Sequence, residues 1–312
     1  MIRLVGARLV QIAVTMAVLS FLMFLLIGLM PGDPIDLAIA GDPRLTAADA
    51  ARLRALHGLD QPLLSRYLAW VAALLQGSFG YSRLFAQPVA QVIAPALAST
   101  LVLLGAALVL AALLGIGLGL LAAARPRYAP AVDAIAILGQ SAPSFWLGIL
   151  LIILFAVTLG WLPAGGAAEG GWLDAARHLV LPVATLAIAN LAAYARHSAA
   201  ATATALREPW ITAARARGNG EARLLLRHAF PNAAVPVLQV AALDAGALVG
   251  GAVITETLFA RPGMGKLIYD AVMGNDTNLA LIALLLVALV TMLATLAADV
   301  AQRAIDPRMG DG

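Results

Sequence analysis

Two carboxylates of this 312-residue chain lie in its apolar stretches, where charged side chains are unusual. Asp244 falls within a run that begins at Gln239 and ends at Gly251, and Glu256 follows it. A carboxylate at mid-membrane depth costs several kcal/mol unless it faces water or a partner. Asp244 is therefore the best candidate for a residue that faces a pathway. A hydrogen bond or ion pair between helices is the alternative.

The other reactive side chains form no catalytic or metal-binding pattern. The chain has no cysteine, which excludes disulfides, thiol catalysis and Cys-type metal sites. Its four histidines are scattered without ligand spacing. A GxxxxGK(S/T) phosphate loop is also absent from the sequence. We therefore expect no enzyme activity, no metal and no cofactor in this chain, and any ATP that drives it must be bound by another chain.

The composition identifies a protein that crosses a membrane several times. Hydrophobic residues make up 62% and charged residues 12% of the chain, against about half and about a quarter in soluble domains. We predict an all-α membrane protein with six transmembrane helices, at residues 10–30, 99–124, 133–159, 179–199, 235–256 and 278–300. Residues 31–95 form an outer segment. A signal peptide is the competing interpretation of the first apolar run, but that run is too long for one.

Two of the predicted spans carry residues with a packing or pathway role. Gly115 and Gly119 of the second span stand at the GxxxG spacing that permits close helix contact. Pro143 lies inside the third span, where a proline frees a backbone carbonyl and kinks the helix. Kinked helices often line pathways, so Pro143 is a second pathway candidate, although a kink can also be only structural.

The fourth and fifth spans are joined by a basic segment, residues 202–232, which has helix signals of its own. Pro209 suits the first turn of a helix. Gly218 stands where a helix normally stops. Glu221 opens a second short helix, and Pro231 is expected to break it. The segment is therefore predicted to be a helix, a glycine turn and a second helix.

The order of residues in this segment is typical of one family. It contains Ala213-Ala214-Arg215-Ala216-Arg217-Gly218, followed by Arg227-His228-Ala229-Phe230-Pro231-Asn232 and Pro236. This pattern resembles the EAA loop of ABC importer permeases, in the form found in the dipeptide/oligopeptide/nickel permease family. A basic loop that only obeys the positive-inside rule is the simpler alternative, but it would not require these residues in this order.

Further motifs similar to that family follow along the chain in family order. They are Pro31-Gly32-Asp33-Pro34, the Ser141–Gly148 stretch around Pro143, Gly250–Phe259 with Glu256, Arg261–Gly265, and Asp306-Pro307-Arg308. The resemblance covers nearly the whole chain. It implies a type I ABC importer permease fold, in which Glu256 lies at the outer end of the fifth span and its segment helps to close an outer gate.

The resemblance also implies partners and a substrate. Such a permease works in the lipid bilayer with a second homologous permease, two cytoplasmic ATPase subunits that bind ATP, and an extracytoplasmic substrate-binding protein, and without nucleic acid. The implied substrate is a di- or oligopeptide. Nickel or a metal chelate is the alternative, and an ion-coupled secondary transporter is the more distant one. The ATPase-docking residues would be Glu208, Trp210, Ala213, Ala214, Arg215, Arg217, Gly218, Asn219, Arg227 and His228.

The distribution of arginines predicts the orientation. Six spans place both termini and the basic segment on one side, and that side also holds Arg3, Arg8, Arg125, Arg127 and Arg196. Short loops rich in arginine remain in the cytoplasm. We therefore predict a multi-pass protein of the cytoplasmic membrane with both termini cytoplasmic.

Four positions depart from the family pattern. Asn219 and Gly220 stand where Leu and a small polar residue are usual, and Pro209 stands where an acid is common. Because Asn219 loses an apolar contact, we expect the loop to fit a specialised ATPase surface. Asp244 replaces a neutral polar residue, which would favour cationic groups such as a peptide amino terminus.

Overall fold

The computed structural model describes residues 2–28, 61–234, 237, 241 and 252–305. Asp244, the Pro31–Pro34 motif and most of the predicted fifth span lie outside these residues. The chain divides into two compact units. The first contains Met1–Gly6, Ala96–Lys266 and Val290–Gly312, and the second contains Ala7–Pro95 and Leu267–Leu289.

Helices account for most of the described residues. They are α1 (Ile2–Gly28), α2 (Leu63–Leu75), α3 (Val89–Ala124), α4 (Ala129–Ser141), α5 (Ser144–Leu151), α6 (Trp172–Leu206), α7 (Pro209–Ala216), α8 (Glu221–Arg223), α9 (Met264–Met273) and α10 (Thr277–Ile305). A 3₁₀ turn at Pro126–Tyr128 joins α3 to α4. The π-helical turns Ile152–Thr158 and Leu224–Ala229 extend α5 and α8. Strands β1 (Tyr81–Ser82) and β2 (Gln87–Pro88) form an antiparallel hairpin.

Four helices of the described residues are long and apolar enough to cross a membrane. They are Val5–Leu26, Val89–Ala124, Trp172–Leu206 and Thr277–Ala301, and they overlap the first, second, fourth and sixth predicted spans. A fifth crossing results if the bent pair Pro126–Ser141 and Ser144–Thr158 is one span. The predicted all-α membrane architecture is therefore confirmed, while the sixth crossing stays a prediction.

The third predicted span is broken rather than kinked. Ala142 has an extended backbone, with φ −81° and ψ 128°, and Pro143 stands just before the first residue of α5. The two helices on either side of this break are bent by 102°. A proline disfavours the helical conformation of the residue before it, and it supplies no backbone N–H to continue the helix. Together the two effects end α4 at Ser141.

The first unit contains the close helix packing that the GxxxG spacing predicts. A Cβ atom built on Gly115 would lie 2.5 Å from Tyr194 Cβ, and one on Gly119 would lie 2.5 Å from the backbone oxygen of Ala195. Real Cβ atoms do not approach other heavy atoms so closely, so α3 contacts α6 through its glycines. A Cβ on Gly117, in the same run, would meet nothing within 4 Å.

We expect Gly115→Ala to destabilise the protein and Gly117→Ala to leave it unchanged or slightly more stable. The methyl group at position 115 would force α3 away from α6, and overpacking of this kind costs about 1–3 kcal/mol. At position 117 the methyl has space, and alanine is the better helix former by about 1 kcal/mol. The aggregation temperature of each variant in detergent measures the difference. Equal temperatures for the two variants would contradict the packing.

The second unit contains an aromatic cluster between α1 and α2. The Tyr67 hydroxyl is 2.9 Å from Ser20 Oγ, and the Tyr67 ring centroid lies 5.2 Å from that of Phe21 and 5.6 Å from that of Phe24. The aromatic residues of α2 therefore pack on α1.

Candidate coupling segment and buried carboxylate site

The basic segment folds as the predicted helix, glycine turn and helix. Glu208 is extended and Pro209 is the first residue of α7, where its missing N–H has no intrahelical partner to lose. The helix α7 ends at Ala216, and α8 begins at Glu221. The glycine turn between them is therefore four residues long, from Arg217 to Gly220.

Gly218 makes this turn possible because its backbone has φ +83°, a conformation that side-chain-bearing residues rarely adopt. The Gly218 N–H donates to the Arg215 oxygen at 3.0 Å, and the Asn219 N–H donates to the Ala214 oxygen at 3.4 Å. These two bonds form a Schellman motif, which satisfies carbonyls at a helix end. The Asn219 side chain adds a bond of 2.9 Å from Nδ2 to the same Ala214 oxygen, so the residue that departs from the family pattern caps α7.

A small apolar core lies beneath the two short helices. Its fully buried members are Ile211 and Ala214 of α7 and Leu224 and Ala229 of the second helix, and Ala205 of α6 packs with them. The segment is therefore attached to the end of α6 by side-chain packing as well as by the chain. Ala214, predicted as a docking residue, lies in this core and not on the surface.

The remaining docking candidates lie at or near the surface. Glu208, Trp210, Ala213, Arg215, Arg217, Gly218 and Arg227 are exposed, and Asn219 and His228 are partly buried. Arg215 pairs with Glu221 across the glycine turn, with Nε 3.0 Å from Oε1 and a second bond of 3.3 Å to Oε2. Such an exposed ion pair contributes little stability.

The second helix continues through Pro231 to residue 234, and the expected break at this proline is wrong. A proline ring normally clashes with the carbonyl four residues before it. The π-helical turn Leu224–Ala229 contains the residue four positions before Pro231, Arg227, and has a different hydrogen-bond pattern from an α-helix. The Asn232 side chain also donates to the His228 oxygen at 2.8 Å, which satisfies a carbonyl near the proline.

Glu256 is fully buried, and both of its carboxylate oxygens accept hydrogen bonds. The Thr100 hydroxyl donates to Oε1 at 2.5 Å. The backbone N–H groups of Gly265 and Lys266 donate to Oε2 at 2.7 Å and 3.3 Å. The Met264 N–H donates to the Thr100 hydroxyl at 2.8 Å. The two side chains thus satisfy three N–H groups at the start of α9, where the helix dipole also favours a negative charge.

This arrangement explains the glycines of the Arg261–Gly265 motif. A Cβ atom on Gly263 would overlap the Glu256 carboxylate, and one on Gly265 would overlap Val253 Cα. A side chain at either position would separate Glu256 from the helix start that it caps. The two glycines are therefore required by close approach rather than by a positive φ.

Two neighbouring groups complete the buried carboxylate site. The Gly166 N–H donates to the Phe259 oxygen at 2.8 Å, which fixes the glycine-rich loop after α5 against the end of the 252–258 helix. Burial lowers the pKa of the Arg261 guanidinium below its usual range, and the nearby Glu256 carboxylate raises it again. An arginine nevertheless stays protonated in a protein, so the site retains a positive charge.

The structure therefore places the three pathway candidates differently. Both carboxylate oxygens of Glu256 accept hydrogen bonds from within the protein, from Thr100 and from backbone N–H groups. Pro143 lies at the break between α4 and α5. Asp244 lies outside the described residues, and its pathway role stays a prediction.

Sequence reasoning did not identify Asp276, which joins two parts of the second unit. Its carboxylate accepts hydrogen bonds from the Ser82 hydroxyl at 2.6 Å, the Leu84 N–H at 3.0 Å and the Leu279 N–H at 3.2 Å. It therefore caps the start of α10 and holds the β1–β2 hairpin. An acidic residue directly before the long apolar helix is the local signal for such a cap.

Family comparison agrees with this geometry. Residues 115–311 match the family described as "Binding-protein-dependent transport system inner membrane component", and residues 1–103 match the corresponding N-terminal family. The chain belongs to this family. Its members are membrane components of transport systems and not enzymes, and the predicted ABC importer permease is confirmed.

Several relatives match along nearly the whole chain. It is 34% identical to the di/tripeptide transport system permease protein DppB of Pseudomonas aeruginosa (strain UCBPP-PA14), over 99% of each chain. It is 32% identical to the oligopeptide transport system permease protein AppB of Bacillus subtilis (strain 168), over 93% of this chain and 94% of that one. It is 37% identical to the glutathione transport system permease protein GsiC of Escherichia coli (strain K12), over 98% of each.

A solved structure shows the same fold. The chain resembles the MetNI methionine ABC transporter in an inward-facing conformation, with a TM-score of 0.58, over 70% of this chain and 98% of that chain. The identity is 21%, so this likeness concerns the fold alone. It agrees with the type I importer permease fold that the motifs imply.

Proposed function

We propose that this chain forms the pathway by which peptides cross the cytoplasmic membrane in an ATP-driven importer. Its relatives DppB, AppB and GsiC are named for di/tripeptides, oligopeptides and glutathione, and glutathione is itself a peptide. The observation that carries the proposal is the helix–turn–helix segment, which packs on the end of α6 and presents exposed side chains to a partner.

The segment would couple the pathway to ATP hydrolysis. The exposed side chains of α7 and of the glycine turn, among them Trp210 and Arg217, would enter a groove on a cytoplasmic ATPase, a mode in which one helix binds between elements of its partner. ATP would be bound only by the ATPase subunits. It would shift the equilibrium between inward and outward access of the pathway because it binds more tightly to the closed pair of ATPase subunits. Because Ile211 and Ala205 pack together, movement of α7 would be transmitted to α6.

The working assembly would contain this chain, a second homologous permease, two ATPase subunits and an extracytoplasmic binding protein. Both termini and the coupling segment would lie in the cytoplasm, in agreement with the arginines near the start of α1 and directly after α3. The binding protein would make most of the choice among peptides.

ATP-dependent uptake into proteoliposomes tests the proposal. We expect the complex, isolated from native membranes through a tag on this chain, to contain an ATPase and a second permease. With the binding protein added, ATP should drive uptake of labelled di- and tripeptides, and ADP should not. The control is a proton ionophore, which should leave this uptake unchanged.

The same experiment separates the alternatives. Uptake of a nickel chelate without uptake of any peptide would show that the substrate is a metal complex and not a peptide. Uptake that needs an ion gradient and no ATP, by a chain that purifies alone, would overturn the importer proposal in favour of a secondary transporter.

A further inference from the structure

The break between α4 and α5 leaves backbone groups without hydrogen bonds. At the end of α4, the Ala142 N–H donates to the Leu138 oxygen at 3.3 Å. At the start of α5, the Leu147 N–H donates to the Pro143 oxygen at 3.1 Å. Several carbonyl and N–H groups between these two bonds take part in no described hydrogen bond. The carbonyls are those of Gly139, Gln140, Ser141 and Ala142, and the N–H groups are those of Ser144, Phe145 and Trp146.

The depth of the break follows from its contact with α6. A Cβ atom built on Gly139 would lie 3.0 Å from the backbone oxygen of Ile188, so the end of α4 is level with Ile188. The uncharged run of α6 lies between His178 and Arg196, and Ile188 is ten residues from the first and eight from the second. These separations correspond to about 15 Å and about 12 Å along the helix. The break therefore lies near the middle of a hydrocarbon core that is ~30 Å thick.

The packing of Ala195 places Arg196 at one end of this run. Ala195 clusters with Ala122 of α3 and Val132 of α4. Both of these residues are close to the 3₁₀ turn Pro126–Tyr128 that joins α3 to α4. The depth of the break thus rests on contacts between helices at both positions of α6, at Ile188 and at Ala195.

Unpaired backbone groups at this depth restrict what covers the break. Irregular backbone inside a membrane occurs where it is buried in protein or lines a water-filled cavity, and not against lipid. This chain does not bury the break, because Gln140, Ser141 and Pro143 are exposed. A neighbouring transmembrane helix has its own backbone groups paired internally, so it offers no partners. Water and an extended chain with free backbone groups do offer them.

We propose that the break is a site of the translocation pathway at which the main chain of a peptide in transit binds. Each peptide unit of an extended chain presents one N–H donor and one carbonyl acceptor. The carbonyls at the end of α4 accept hydrogen bonds from the peptide N–H groups, and the N–H groups at the start of α5 donate to the peptide carbonyls. Because all peptides share this main chain, the site binds peptides with different side chains. The proposal rests on peptide import as the function of the chain and adds the part of the substrate that the pathway binds.

Access to position 141 is the first test, and the absence of cysteine from this chain makes it direct. Val109 of α3 is the matched control, because it is 57% exposed and carries an apolar side chain that suits lipid. It is two residues from Ala111, which clusters with Ala187 of α6. Val109 is therefore at about the same depth as Ile188 and the break.

Ser141→Cys and Val109→Cys are compared in the assembled transporter in lipid nanodiscs, each treated with a charged, membrane-impermeant thiol reagent. We expect position 141 to react at least about tenfold faster, since charged reagents enter a water-filled path and not lipid. Trialanine at a concentration above its Kd should slow the reaction at position 141 at least about threefold by occupying the site. Equal rates at the two positions would overturn the pathway location of the break. A reaction that no peptide slows would overturn peptide binding there.

A matched set of peptides tests recognition of the main chain. Trialanine is compared with trialanine that is N-methylated at both peptide bonds, which has the same side chains and the same charged ends. The N-methylated peptide should need at least about fivefold higher concentration to protect position 141, because it lacks N–H groups that the α4 carbonyls accept. Trivaline is the control for bulk and should protect within about twofold of trialanine, since its main chain is intact. Equal protection by the N-methylated peptide would overturn the main-chain assignment.

Uptake of peptide by the assembled transporter is the last test. Ser141→Phe should lower uptake at least about tenfold, because an aromatic ring at this exposed position narrows the path. Val109→Phe should change uptake less than about twofold, because its ring would face lipid. Unchanged uptake by Ser141→Phe would overturn the proposal. Failure of the unmutated transporter to import any peptide is a different result, which would reject the proposed function itself, and the thiol reaction at position 141 does not depend on it.

Discussion

Gly218→Asp is expected to abolish most ATP-driven uptake while the protein still inserts into the membrane. With φ +83°, Gly218 occupies a backbone region in which other residues are strained by about 1–2 kcal/mol. The strain would be relieved by opening the Schellman motif, which displaces α8 and the small core. The docking surface would then no longer fit the ATPase groove. We expect uptake to fall more than about tenfold, with ATP hydrolysis of the complex reduced or independent of substrate.

Gly220→Asp is the matched control, because it is the same chemical change two residues away. Gly220 has φ −69° and ψ 156° and precedes the first residue of α8, and a Cβ there meets nothing within 4 Å. Aspartate is a favoured residue at this position of a helix, so the segment should be unaffected. The ratio of peptide taken up to ATP hydrolysed is the measurement. The coupling model fails if the two variants give the same ratio.

Glu256→Leu is expected to lower stability more than Glu256→Gln. Leucine would remove the acceptor of the buried Gly265 N–H, a loss that costs about 1–3 kcal/mol, and also the acceptor that Glu256 offers to the partly buried Lys266 N–H. Glutamine can still accept from these groups with its oxygen, and its amide can donate to the Thr100 hydroxyl, which has a second lone pair. The aggregation temperature in detergent should therefore be highest for the unmutated protein, lower for Glu256→Gln and lowest for Glu256→Leu. We expect Glu256→Leu to lie below the unmutated protein by about 5–10 °C.

Thr100→Val provides an independent check of the same site. It removes the hydroxyl that links Glu256 to the Met264 N–H and leaves the side-chain volume nearly unchanged. We expect an effect smaller than that of Glu256→Leu, and the double variant should be less destabilised than the sum of the two, because both act on one network. Purely additive effects would show that Thr100 and Glu256 stabilise the protein separately.

The sequence by itself determined the class of protein, the position of its apolar helices and the form of the coupling segment. These features depend on local properties: the hydropathy of about twenty successive residues, the proline at the start of α7, and a glycine where the backbone must reach φ +83°. The family motifs also lie within short stretches. A reader of the chain can therefore recognise an importer permease before any contact between distant residues is known.

Only the tertiary structure decided which side chains are buried and which residues act together. The Thr100 hydroxyl and the Glu256 carboxylate are 156 positions apart, and Ser82 and Asp276 are 194 apart. Ala214 lies in the core of a segment whose other candidates are on the surface. No local spacing encodes such contacts, because they arise when helices distant in sequence pack. Tertiary structure also explains why the helix breaks at Pro143 but continues through Pro231. The two prolines have different surroundings, and the surrounding backbone decides what each does to its helix.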